Sequence, residues 1–133
     1  MTTQAQWSPE SGSTAAQVKL ADDTWPVDID VEAGGSGTHP SPHDLLDAAL
    51  AACTTLTLQL YTKHKGWSAG AITVDVTHER RDDGTLVFKR SVHVGGPVSE
   101  EQRASLLRIA NACPVHKSLT GKLAVETAEV LAG

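Results

Sequence analysis

Between residues 41 and 66 the apolar positions recur every three or four residues: Leu45, Leu46, Ala49, Leu50, Cys53, Leu56 and Leu60. That period predicts an α-helix over about 42–65. Ser41 is placed to cap its start, Pro42 suits the first turn, and Asp44 suits the positive end of the helix dipole. Lys63, His64 and Lys65 supply cations at the negative end, and Gly66 stops the helix. Its middle, Ala-Leu-Ala-Ala-Cys, is small and apolar on nearly every side, so it is expected to be a central buried helix.

The period then changes to two. Residues 71–80 alternate, with Ile72, Val74 and Val76 expected inward, and residues 85–94 return antiparallel after the turn Asp82-Asp83-Gly84. Gly95-Gly96-Pro97 breaks the pattern. Ser99 and Gln102 form a capping box that opens a second helix, whose apolar stripe is Leu106, Leu107, Ile109 and Ala110. Pro114 interrupts that helix and pushes Cys113 out of the helical region. A short helix from Pro114 to about Leu119 is expected to end at Gly121. Residues 123–130 alternate again and predict a closing strand. Upstream, 18–20 and 25–29 carry a weaker hairpin signal, and the polar residues 1–16 predict a flexible lead-in. The order of strands, helix, hairpin, helix and strand predicts an α+β fold, one domain over 17–133.

Composition narrows the function. Eleven Lys and Arg against sixteen Asp and Glu give a net charge of −5, which argues against a nucleic-acid partner. No apolar run approaches the ~20 residues that cross a bilayer. The first residues lack the basic and apolar regions of a signal peptide. A cytoplasmic protein is therefore expected, in a compartment that keeps thiols reduced. With one Phe, one Tyr and three Trp, the core must come mainly from Leu, Val, Ile and Ala.

The chemistry lies in two cysteines. A thiol attacks peroxides and disulfides as its thiolate, and near neutral pH it needs a helix amino end, a cation or a hydrogen-bond donor to ionise. Cys113, just before Pro114, is placed to receive backbone N–H groups, and His116 adds a further donor. Cys53 lies mid-helix, where its own backbone supplies no such field. Local physics thus favours Cys113 as the more acidic thiol. Two other readings stay open. Buried cysteines are often small hydrophobes, and Cys113, His116 and Cys53 could together ligate a metal, although structural zinc usually takes four ligands. Histidines 39, 43, 64, 78 and 93 are scattered and read as surface residues or helix-end cations.

Two frames carry a resemblance: Ser-Pro-His-Asp-Leu-Leu-Asp-Ala-Ala-Leu-Ala-Ala-Cys-Thr over 41–54, and Ile-Ala-Asn-Ala-Cys-Pro-Val-His over 109–116. With Gly34-Gly-Ser-Gly before the first and Lys65-Gly-Trp after its helix, they resemble the OsmC/Ohr family of osmotically inducible and organic-hydroperoxide-resistance proteins, closer to the OsmC-like branch. The resemblance implies an intertwined α+β homodimer with thiol sites at the subunit interface. It implies that Cys53 attacks a peroxide and that Cys113 resolves the sulfenic acid to a disulfide, which an external dithiol reduces, with no cofactor and no metal. The hydroperoxidases of the family stabilise the thiolate with an arginine from the amino-terminal strands. Here no arginine precedes Arg80, and His43 stands where their glutamate stands. Another cation, such as Arg90, would have to serve. The alternative is a non-catalytic redox-sensing or small-ligand-binding member of the family.

Overall fold

A computed structural model describes residues 1–133 as an α+β fold with antiparallel sheets and three α-helices. Two compact units divide it: residues 1–48 with 77–89, and residues 49–76 with 90–133.

In the first unit, β1 (Gln4–Gln6), β2 (Ala16–Leu20) and β3 (Asp23–Val27) form an antiparallel sheet in the order β1-β2-β3. Val18 pairs with Trp25, as the hairpin pattern requires, and Ala5 pairs with Val18 from the other side. The expected flexible lead-in therefore contributes a strand. Its Gln-Ala-Gln sequence has no apolar alternation, and pairing to β2 through the backbone needs none. After β3 the chain is gathered around Asp28, which is 3% exposed. Its carboxylate accepts from the Thr14 hydroxyl (2.6 Å), Ile29 N (2.9 Å) and both Ser36 N and Oγ (3.0 and 3.2 Å). The Thr14 hydroxyl first, and then the Ser36 N–H, hold its pKa down at about 2. Gly35 has to be glycine here, since a Cβ would fall 1.9 Å from the Ile29 carbonyl oxygen.

Helix α1 (Pro42–Lys65) starts and stops where expected. The Ser41 hydroxyl accepts from Asp44 N, and the Asp44 carboxylate accepts from Ser41 N at 2.8 Å. At the other end Gly66 takes φ +70°, with Gly66 N donating to Lys63 O and Trp67 N to Thr62 O. These two bonds make a Schellman stop. The buried stripe of α1 is Leu50, Thr54, Leu58 and Thr62, so the helix is covered on one side only. Thr54 and Thr62 return their hydroxyl protons to the carbonyls of Leu50 and Leu58, which lets a hydroxyl enter a core. Leu56 and Leu60 are 57% and 66% exposed in the single chain.

Strands β4 (Ile72–Arg80) and β5 (Leu86–Val94) form the second sheet. Positions 72, 74, 76 and 78 of β4 are half-buried and alternate with exposed ones. Helix α2 (Glu100–Ala110) carries the full capping box of Ser99 and Gln102, and helix α3 (Pro114–Thr120) follows after Cys113. The core of the second unit is Leu58, Leu106 and Ala110, with Tyr61, Trp67, Ile72, Val94, Val98 and Ile109 packed around it. Leu107 is 65% exposed and leaves the expected stripe. Residues 121–133 carry no regular structure and are exposed, so the closing strand expected over 123–130 is absent from the single chain. Alternation permits a strand, but a strand needs an edge to pair with, and β1–β5 leave this segment unpaired.

Candidate functional site

The second unit brings both cysteines to the first turn of α3. Cys113 is the N-cap, extended at φ −66° and ψ 146°, because Pro114 excludes the helical region for the residue before it. Its sulfur accepts from His116 N at 3.3 Å. The Cys53 sulfur, reaching over from α1, accepts from Val115 N at 3.5 Å. Consecutive backbone N–H groups thus serve the two sulfurs. The donor expected from His116 is its backbone N–H.

Cys113 is wholly buried and Cys53 is partly buried. Burial pushes the Cys113 thiol up. The His116 N–H, the Thr54 hydroxyl, the Cys53 thiol and the Arg90 charge together outweigh it, and the pKa falls below the ordinary thiol value. Sequence reasoning expected Cys113 to be the more acidic of the two for the first of these reasons.

Arg90, on β5, organises the polar side of the site. Its Nη1 donates to Thr54 Oγ1 at 3.0 Å. Its Nη2 donates to Asn111 Oδ1 at 2.9 Å and lies 3.1 Å from His116 Nδ1. A guanidinium only donates, so Nδ1 accepts and the imidazole proton sits on Nε2. Burial, and then the Arg90 charge, lower the His116 pKa, so the ring is neutral near pH 7. With Nδ1 already engaged by a cation, the Cys113–His116 spacing does not present a ready metal chelate.

Thr54 links the guanidinium to the sulfur. Its Oγ1 lies 2.8 Å from Leu50 O and 3.7 Å from Cys113 Sγ. It has one proton to donate. With Cys113 a thiol, S–H can donate to Oγ1 while the hydroxyl bonds Leu50. With Cys113 a thiolate, the hydroxyl can turn its proton to sulfur, and the carbonyl of Leu50 keeps its helical partner Thr54 N. The sequence does not single out Thr54 or Asn111, although each lies inside one of the two family frames. Nothing in the pair Thr54-Thr55 tells which hydroxyl faces inward.

A family model described as OsmC-like protein matches residues 35–128, a stretch that holds both cysteines, Arg90 and His116. The chain belongs to the OsmC family. Among solved structures, it is similar to a candidate osmotic stress induced and detoxification response protein from Psychrobacter arcticus, at TM-score 0.76 and 20% identity over 89% of this chain and 87% of that one. An organic hydroperoxide resistance protein from Elizabethkingia anophelis gives 0.67 and 23% over 90% and 86%. The organic hydroperoxide resistance protein OhrB of Bacillus subtilis gives 0.64 and 20%, over 90% of each chain. At these identities the OsmC likeness is one of fold. No curated protein sequence matches this chain. No helix of this OsmC-family chain is long and apolar enough to cross a membrane.

Proposed function

We propose that this OsmC-family protein is a thiol-dependent peroxidase that reduces organic hydroperoxides or hydrogen peroxide. The observation that carries this reading is the convergence of two sulfurs on adjacent N–H groups of α3, with an arginine held beside them. Exposure supports the roles that the family resemblance implies. Cys53 is only partly buried and open to a peroxide, and the buried Cys113 is not. The Cys53 thiolate attacks the peroxide oxygen, the O–O bond breaks, and the alkoxide takes a proton and leaves as an alcohol. Cys53 becomes a sulfenic acid. The Cys113 thiolate attacks that sulfur, and hydroxide leaves as water once protonated. The lowering of its pKa favours the form of Cys113 that this step needs. An external dithiol then reduces the disulfide by two exchange steps and is itself oxidised, so the cycle requires no bound cofactor. The reducing environment of the cytoplasm suits such a donor.

Arg90 acts on the resolving thiol, Cys113, through Thr54 and by its charge. A homodimer fits the uncovered side of α1, where Ala49, Ala52, Leu56 and Leu60 are exposed on one face, and the unpaired segment with Leu123, Val125 and Val130.

The test is peroxide consumption with a dithiol donor. Wild type turns over many times, Cys53→Ser loses turnover, and Cys113→Ser leaves Cys53 trapped as the sulfenic acid, which further peroxide over-oxidises. Equal consumption by wild type and Cys53→Ser rules the proposal out. A single stoichiometric oxidation of wild type points instead to redox sensing.

A further inference from the structure

We propose that Asp44, Asp47 and His78 form a binding site for a divalent cation of the zinc class, separate in its residues from the thiol pair and independent of the peroxidase reading. Asp44 and Asp47 are three apart on α1 and so share a face. His78 occupies a half-buried position of β4. One donor atom from each of the three lies within 4.8 Å of the other two.

The Asp47 carboxylate points to a missing partner. Its Oδ2 lies 2.6 Å from His78 Nδ1, but its Oδ1 is shut off from solvent and has no hydrogen-bond partner. A carboxylate oxygen without a donor is an unfavourable thing to bury, and a metal ion is one of the few groups that satisfies it. Neither aspartate pairs with a lysine or arginine. Asp44 uses one oxygen to cap Ser41 N and keeps the other. The Asp47 and His78 side chains are only 14% and 25% exposed, while Asp44 is exposed and leaves the site open on one side. The His43 ring stands beside it, 5.7 Å from that of His78 between centroids.

Two carboxylates and an imidazole make a mixed oxygen and nitrogen set, which suits zinc better than calcium or magnesium with their preference for more oxygens. Three protein donors leave a fourth position for water. Zinc at about 2.0–2.2 Å from each ligand holds neighbouring donors roughly 3.3 Å apart in a tetrahedron. The three donors, which lie within 4.8 Å of one another, therefore draw together around the cation.

Calorimetric titration with zinc chloride tests this on the full chain carrying Cys53→Ser and Cys113→Ser, which removes the thiols as competing ligands. One zinc per chain is expected, and cobalt in its place should give the visible absorption of a tetrahedral site. Asp47→Asn and His78→Phe should each weaken zinc binding about tenfold or more. Asp44→Asn, at an exposed position, should also weaken it while leaving the circular dichroism unchanged, so the test survives if the other variants misfold. Failure to bind zinc below about 100 μM overturns the proposal. So does undiminished affinity in Asp44→Asn.

Discussion

At the scale of single residues, the site depends on hydrogen-bond direction. Thr54 has one proton, Arg90 only donates, and His116 is neutral beside it, so a negative sulfur is the acceptor this arrangement favours. Thr54→Val keeps the side-chain volume and removes the hydroxyl. In a Cys53→Ser background, where Cys113 is the lone thiol, its pKa should then move back up toward the ordinary thiol value. Labelling by a small alkylating reagent at neutral pH should slow several-fold. A titration of thiolate absorbance unchanged by Thr54→Val would remove Thr54 from the account. Asp28 gives a second residue-level expectation. Its carboxyl titrates at about 2 in the folded chain, against 3.8 ordinarily. Its contribution to stability is therefore complete above about pH 4 and is lost as pH falls through about 2. Asp28→Asn should flatten acid-induced unfolding in that window, read by circular dichroism. An equally steep loss in the variant would mean that other carboxylates carry it.

At the scale of elements, local signals were sufficient wherever a few residues of backbone chemistry decide the outcome. Ser41, Pro42 and Gly66 bound α1 to the residue, and Ser99 and Gln102 begin α2. Pro114 makes Cys113 an N-cap before any tertiary contact is considered. Which face of α1 is buried was not legible. Its apolar positions lie on more than one side, and two threonines, with their hydroxyls satisfied inside the helix, take places on the buried stripe. Leu58, wholly buried at the centre of that stripe, lies outside the apolar series that the spacing picked out. Leu58→Ala should cost about 3–4 kcal/mol in urea denaturation, the range for a buried leucine removed from a close-packed core. A cost under about 1 kcal/mol would mean that the second unit is not built around this residue.

At the scale of the whole molecule, the single chain leaves large apolar side chains uncovered. Leu56, Leu60, Leu123, Val125 and Val130 are each more than half exposed. Burying such side chains yields about 25 cal/mol per Å² of apolar surface, so a self-associating surface is expected. Leu60→Glu puts a charge on that face without touching the buried stripe. By sedimentation at micromolar concentration, wild type should be a dimer and Leu60→Glu a monomer with the same far-ultraviolet circular dichroism. A monomeric wild type would leave the uncovered face of α1 without this explanation.

The sequence by itself determined the helix limits, the hairpin, the capped cysteine and the two frames of the OsmC family, because caps, breakers and periodicity act over a few neighbouring residues. Only the tertiary structure decided that Val115 N–H meets the sulfur of Cys53, that Arg90 reaches Thr54, Asn111 and His116, and that Asp47 meets His78. The partners in these contacts are 21 to 62 residues apart along the chain. Their meeting is set by how strands and helices pack, which no local pattern of residues encodes.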